Sequence, residues 1–354
     1  MDEPTTHPTA RLSFLVFGAG AIGSYIGGSL GLQGQQVVFL EKPEMIERLA
    51  GHGLRLNIDG SEKSIAHPLL AASLPEALEL GPFDAALFAL KSFDTQTALQ
   101  DLRPYASQIP PVLCLQNGVE NESAIAEVLG SQKVIAGSVT SAIGRRTTGE
   151  IVLERLRGVG IAAGHPLSKA LVEAFNQAGL NACLFRSAPG MKWSKMLTNL
   201  LANASSAILD RTPAEIFAQA GLSKLETTQL REALAVMDAQ QIQVVDLPGT
   251  PVRLLTWAIR SLPLSISRPL LRRAIGGGRG GKMPSFHIDL HSGRGQSEVD
   301  YLNGAVVRFG ERAGVLTPAN RLLNETLLRL ARGEIPLEQF SGHPEKLLAL
   351  WKPA

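Results

Sequence analysis

The feature that most constrains this chain is Gly18-Ala19-Gly20-Ala21-Ile22-Gly23, which follows the apolar run LSFLVF (12–17) and opens a helical pattern. Each glycine answers a physical need. Gly18 makes a tight turn, Gly20 lets backbone approach a pyrophosphate, and Gly23 lets the helix pack close on the strand. A diphosphate then rests at the helix N-terminus, where unpaired N–H groups and the helix dipole favour negative charge. A second apolar run, VVFL (37–40), ends at Glu41, where an acid meets the adenosine ribose of a bound dinucleotide. Glu41 favours a bare ribose and hence NAD(H). Lys42, one residue on, favours a 2′-phosphate and hence NADP(H).

The pattern around this motif sets the fold class. Apolar runs at 12–17, 37–40, 85–90, 112–115, 134–140 and 182–185 alternate with amphipathic stretches such as SFDTQTALQDL, which predicts a mostly parallel sheet covered by helices. Beyond about Pro189 only helical periodicity remains, over 191–209, 213–245, 297–313 and 318–332. The expected organisation is therefore an α/β domain over 1–187 and an all-helical domain over 188–354. With 354 residues and 45% apolar content, two sizeable cores are affordable.

Composition excludes several classes. Cys114 and Cys183 cannot build a disulfide scaffold or a cysteine-rich metal site, and both fall in runs that read as buried strands. The polar N-terminus MDEPTTHPTA is neither a signal nor a transit peptide. The uncharged stretch from Leu12 to Leu40 carries seven glycines and a glutamine cluster, so strand–turn–helix–strand explains it better than a membrane span. The expectation is a soluble, cytoplasmic protein, monomeric or homodimeric, with no nucleic-acid or membrane partner.

Candidate chemical groups cluster in four places. Lys91 and Asn117 follow the apolar runs 85–90 and 112–115, at the carboxyl ends of expected strands, where open α/β sheets bind ligands. In KWSKMLTNLLANA, Lys195, Asn199 and Asn203 stand four residues apart, which would align them on one face of a continuous helix. Asparagine is a poor helix former, so two in an apolar helix point to a use. A partly desolvated lysine there suits proton donation near neutral pH, with Lys192 as its rival. Further on, Ser297 is a plausible N-cap with Asp300 as its box partner, and Glu298 falls in the first turn. His287 and His291 stand i, i+4, but no third ligand follows at recognisable spacing, so no metal site is assigned.

Taken in order, GAGAIG, ALKSFDT, LQNGVEN, KWSKMLTNLLANA and SFHID…GR…SEVDYLNGAVVR…GVLTPANRLL resemble the ketopantoate reductase family over nearly the whole chain. The resemblance implies a Rossmann-like dinucleotide-binding domain joined to an all-α domain of the 6-phosphogluconate-dehydrogenase C-terminal type. It implies hydride transfer from NADPH to the ketone of 2-dehydropantoate, a small 2-oxo acid, giving pantoate for coenzyme A synthesis. By the same resemblance Lys195 is the general acid, with Glu298 beside the reacting hydroxyl and the cofactor. Asn199, Asn203 and Asn117 hold the substrate, and Ser285 its carboxylate. Cofactor contacts fall on the glycine-rich turn, Glu41, Lys42, Lys91, Asn117, Glu298 and the backbone around Ile143.

The chain departs from that pattern at Glu41-Lys42, where the family has a small residue followed by arginine. It also spaces Asp289 and Glu298 one residue wider and lengthens 247–283. A paralogous reductase or dehydrogenase of another 2-oxo acid is thus a second reading. A dinucleotide-binding sensor without catalysis is a third, though a sensor has no use for a proton donor. The net charge of +2 hides an uneven distribution: Leu247 to Ile288 carries seven basic residues and no acidic one. Pro263 and Pro269 interrupt any amphipathic membrane helix there, so the stretch is expected to be a wall or lid beside an anionic substrate, or a solvated helix pair. The segment 274–285 reads as a flexible loop or hinge.

Overall fold

The computed structural model describes residues 11–263, 282–293 and 295–352. The chain divides into two compact units. One comprises Met1–Gln116, Asn121–Ala188 and Pro248–Thr250; the other comprises Asn117–Glu120, Pro189–Leu247 and Pro251–Ala354.

The first unit opens with β1 (Ser13–Phe17), α1 (Ala21–Leu32), β2 (Gln36–Leu40) and α2 (Pro43–His52). Three short strands follow, β3 (Leu54–Ile58), β4 (Ser61–Ile65) and β5 (Leu69–Ala71), then α3 (Leu74–Glu79). The chain continues through β6 (Ala85–Phe88), α4 (Thr95–Leu102), β7 (Val112–Cys114), α5 (Asn121–Leu129) and β8 (Val134–Val139). It ends with β9 (Ala142–Thr147), β10 (Glu150–Arg155), β11 (Val159–Ala162), α6 (Ser168–Gln177) and β12 (Ala182–Phe185).

The large sheet has the order β12-β11-β8-β7-β6-β1-β2-β5, with β11 pairing antiparallel to β8 and every other pair parallel. From β5 to β8 this is the doubly wound dinucleotide-binding order, reversing direction between β1 and β6. Such sheets are covered on both faces. On one face Leu15, Phe17, Val38, Phe88 and Cys114 pack with Leu74, Leu99, Leu102 and Ile125 from α3, α4 and α5. On the other, Phe14, Val16, Val37 and Phe39 pack with Tyr25, Ile26 and Leu30 of α1.

Every apolar run named from sequence lies on a strand of the large sheet. Six further strands, β3, β4, β5, β9, β10 and β11, are not among the runs expected from sequence. Four of them form a separate sheet of order β4-β3-β10-β9, in which only β3 and β10 run parallel. These are polar strands, of which β3 buries Leu54 and Leu56, and β10 buries Ile151 and Leu153, in the core that includes α1. That second cover explains why α1 is buried from Gly23 to Leu30 with no solvated face. A methyl at Gly27 would meet the Phe39 ring, and one at Gly28 would meet Leu56, so these glycines are the price of sandwiching a helix between two sheets. A second correction concerns Cys183: it is exposed on the edge strand β12, whereas Cys114 is buried.

The second unit begins with α7 (Ala188–Leu200), α8 (Asn203–Leu209), α9 (Pro213–Ala218), α10 (Ala220–Ala239) and α11 (Val252–Ser261). It continues with α12 (Ser285–Leu290), α13 (Val299–Ala313), α14 (Pro318–Ala331) and α15 (Pro344–Leu350). Among the described residues no strand follows Phe185. No helix there is long and apolar enough to cross a membrane. Leu222, Leu225, Leu230, Ala233 and Met237 of α10 are all buried, as are Leu302 and Val306 of α13 and Leu323 and Leu327 of α14. Within the basic stretch, residues 264–281, with four of its arginines and most of the expected hinge, lie outside the described residues. In its described part, Arg260 holds Asp238 through two hydrogen bonds of 2.7 and 2.8 Å, an exposed pair on α11 and α10.

Candidate active site

At the carboxyl end of β1 the chain turns through Gly18, whose φ of +92° lies in the region glycine occupies without strain. A Cβ at Gly23 would collide with the Gly18 carbonyl oxygen, so the helix starts in direct contact with the turn. A Cβ at Gly20 would meet nothing within 4 Å. Gly20 is the N-cap of α1, offers no side-chain cap, and is followed by a first turn without an acid. The N-terminal amides of α1 are thus left to an anion from outside, with open space in front of them. The residues present fit a dinucleotide diphosphate.

Glu41 sits beside that turn. Its carboxylate accepts hydrogen bonds from the Ala19 N–H at 2.7 Å and from its neighbour's amide, Lys42 N–H, at 3.1 Å. The negative charge is therefore fixed against the glycine-rich turn, while Lys42 is exposed. The next strand end brings Lys91 alongside, because β6 pairs with β1 and Ala89 N–H donates to the Phe17 carbonyl at 3.1 Å. Gln116, not among the residues expected from sequence, anchors that loop. Buried at 4% exposure, its amide donates to the carbonyls of Leu90 and Lys91 and to Thr95 Oγ1, at 3.1, 3.3 and 2.8 Å. Ile143 lies on β9, opposite Leu153.

The helical unit departs from the expected geometry at its most informative helix. The chain does not run as one helix from 191 to 209. α7 ends at Leu200 and α8 starts at Asn203, with Ala202 in the left-handed conformation (φ 51°, ψ 16°). Lys195 and Asn199 remain one turn apart on α7, but Asn203 leaves their face and becomes the first residue of α8. Lys195 is partly buried and Lys192, at 5% exposure, more deeply. The periods expected at 213–245 also break: α9 ends at Ala218 and α10 at Ala239.

The break gives each asparagine its own partner. Asn199 donates to the side-chain oxygen of Asn117 at 3.0 Å. Asn203 donates to Ser285 Oγ at 3.3 Å and accepts the Phe286 N–H at 3.0 Å, which seats the start of α12. Of the residues named from sequence, Asn117, Asn199, Asn203 and Ser285 thus form two linked pairs. Glu298, 3% exposed, is itself the N-cap residue of α13 rather than a member of its first turn. Ser297 is not the N-cap: its Oγ accepts the Val299 N–H at 3.2 Å. Asp300 is not its box partner either, and pairs instead with Arg308 at 3.0 Å. The same guanidinium grips Glu120 at 3.1 and 2.5 Å, tying that residue to α13.

What holds the break is a carboxylate that periodicity hid. Glu226, on α10 and fully buried, accepts the Ala202 N–H at 2.7 Å, the Ser205 hydroxyl at 2.6 Å and the Gln229 amide at 2.6 Å. Gln229 in turn donates to the Leu200 carbonyl at 3.2 Å. The Ala202 N–H and the Leu200 carbonyl at the interruption are thereby paired. Burial pushes the Glu226 carboxyl up to about 7, against three donors that pull it down. Two turns along, Glu232 accepts the Ala319 and Asn320 amides at 2.8 and 2.9 Å and so caps α14. Asn303 and Asn320 join Gln229 to Glu232, making one buried polar stripe. Glu226, Gln229 and Glu232 recur every three residues, but that spacing reads equally as a solvated face.

A glycine-rich turn at the switch point of a doubly wound sheet, with a helical unit that gathers lysine, asparagine and serine side chains, defines a nucleotide-dependent oxidoreductase. The chain belongs to the ketopantoate reductase family: the model of ketopantoate reductase PanE/ApbA matches residues 14–164, and that of its C-terminal region matches 189–331. A 2-dehydropantoate 2-reductase of Lactococcus lactis subsp. lactis is 27% identical over 311 residues, covering 86% of this chain and 93% of its own length. The crystal structure of a PanE/ApbA family ketopantoate reductase from Ralstonia eutropha JMP134 superposes with a TM-score of 0.76 at 27% identity, over 91% of this chain and 99% of that one. The same fold recurs at 23% identity in a D-mandelate dehydrogenase solved with NADH and anilino(oxo)acetate, with a TM-score of 0.73 over 90% of this chain and 98% of that one.

Proposed function

We propose that this chain reduces the ketone of 2-dehydropantoate to pantoate with a nicotinamide cofactor, the step that supplies pantothenate and coenzyme A synthesis. The observation that carries the reading is the paired arrangement of Asn199 with Asn117 and of Asn203 with Ser285. It presents amide and hydroxyl groups suited to a 2-oxo acid's carboxylate and carbonyl. The glycine-rich turn and the open N-terminus of α1 hold the diphosphate, with Lys91 and the backbone around Ile143 completing the cofactor site. A nicotinamide cofactor held there would supply the hydride. Lys195 donates the proton that the developing alkoxide takes up, Asn199 and Asn203 orient the acid, and Ser285 holds its carboxylate. Glu298 hydrogen-bonds beside the reacting hydroxyl and the cofactor.

A second reading rests on Glu41. Its carboxylate, fixed by Ala19 N–H, meets a ribose hydroxyl favourably and a 2′-phosphate unfavourably, which supports NADH as the donor and a paralogue acting on another 2-oxo acid. Cofactor oxidation followed with NADPH and NADH separately, against 2-dehydropantoate and a panel of alkyl and aryl 2-oxo acids, separates the readings. Turnover of 2-dehydropantoate is the expected result. Turnover of other acids alone selects the paralogue, and no turnover of any overturns both.

A further inference from the structure

The pair of short helices that carries Asn203 and Ser285 has a second cluster at its far end. α8 finishes at Leu209, and its C-cap residue Asp210 takes the left-handed conformation (φ 52°, ψ 46°). Facing it on α12 are His287 and, at the C-cap, His291. His287 Nε2 lies 2.7 Å from Asp210 Oδ1, and the two imidazoles stack with centroids 4.1 Å apart and planes at 28°. One ligand atom from each of Asp210, His287 and His291 lies within 4.8 Å of the other two. The spacing of the histidines alone offered two ligands and no third; Asp210 arrives from 77 residues away.

The tautomer at His291 follows from its partner. Its Nδ1 lies 2.9 Å from the His287 carbonyl oxygen, which can only accept, so Nδ1 carries the hydrogen. In the neutral ring Nε2 is then the nitrogen left to ligate. A backbone carbonyl that orients one ring nitrogen so that the other can ligate is the usual support of a metal-bound histidine. Two imidazole nitrogens and one carboxylate oxygen suit a borderline d-block cation and not magnesium or calcium, which take oxygen donors. Three protein ligands leave further positions to water.

We propose that Asp210, His287 and His291 bind one divalent d-block cation, of the zinc, cobalt or nickel class, which pins α12 to α8. α8 and α12 are only seven and six residues long, too short to persist without tertiary support. Asn203 ties them together at one end, through Ser285 and Phe286. The cation tightens the other end, where His287 already meets Asp210, and so steadies the start of α12 at Asn203.

The test uses the full-length protein, stripped with a chelator and titrated calorimetrically with Zn2+ and with Ni2+, with no substrate or nucleotide present. Its outcome is therefore independent of the proposed reaction. One cation per chain is expected, and Asp210→Asn and His291→Ala, both at exposed positions, each weaken binding by about tenfold or more. His343→Ala, which removes a remote histidine paired with Glu345, leaves binding unchanged. In hydrogen exchange, Zn2+ slows the amides of 285–291 in the wild-type chain. Absence of a one-to-one site, or wild-type titrations from Asp210→Asn and His291→Ala, overturns the site. Binding without slower exchange overturns the clamp.

Discussion

Two helix N-termini in this chain are treated in opposite ways. α1 starts at Gly20 with no side-chain cap and no acid in its first turn, facing open space. α8 starts behind a left-handed Ala202 whose N–H is taken by the buried Glu226. Both positions favour negative charge. At α1 no side chain caps the helix itself, Glu41 reaching only the preceding Ala19 N–H; at α8 the buried Glu226 carboxyl fixes a helix break that orients Asn199 and Asn203 separately.

Substitutions at five positions test that contrast. Lys195→Ala should have the largest effect, lowering kcat by about 10²–10⁴-fold while the dissociation constant for the nucleotide, measured by fluorescence titration, stays near the wild-type value. A near-normal rate would move the acid to Lys192. Glu226→Ala leaves three donors facing a cavity and should cost about 3 kcal/mol or more in urea unfolding. Glu226 also makes stability depend on pH. Its folded carboxyl titrates near 7, above the ordinary 4.5, so its stabilising contribution is full below about 4.5 and is lost as pH rises through about 7. The difference is of order 3 kcal/mol across that window, and Glu226→Gln should abolish that part of the slope.

The glycine-rich turn supplies a matched pair with smaller effects. Gly23→Ala forces a methyl into the Gly18 carbonyl and should destabilise the fold by about 1–3 kcal/mol. Gly20→Ala meets no protein atom, so the thermal midpoint should hold while the nucleotide dissociation constant rises about tenfold, or ~1.4 kcal/mol. If Gly20→Ala binds nucleotide normally, the open space is not a diphosphate site. Smallest is Glu41→Ser, which should move the NADH-to-NADPH preference toward NADPH by several-fold in kcat/KM.

Legibility in the sequence followed how local each interaction is. The parallel strands β1, β2, β6, β7 and β8 were readable because they are buried on both faces and appear as unbroken apolar runs. β3, β4, β9 and β10 were not, because β3 and β10 bury only two side chains each, β4 and β9 bury none, and all four look like polar loop. Cys183 looked buried for the converse reason: its run ACLF is apolar, but β12 lies at the edge of the sheet. In the helical unit, α-helical period predicted the helices and not their interruptions. Nothing in TNLLANASS announces a left-handed Ala202, since the compensating carboxylate lies 24 residues away.

The sequence by itself determined the dinucleotide-binding turn. Strand, Gly18, Gly20, Gly23 and the acid at Glu41 are contiguous or nearly so, and their backbone requirements are met within one βαβ unit. It also determined the family, through the order of its motifs. Only the tertiary structure decided how the helical unit arranges its polar groups: the break at Ala202, the pairs Asn199–Asn117 and Asn203–Ser285, and the meeting of Asp210 with His287 and His291. The physical reason is that a buried carboxylate, a freed amide or a cation ligand is satisfied by whatever packing brings within about 3 Å. Periodicity along the chain carries no record of those distances.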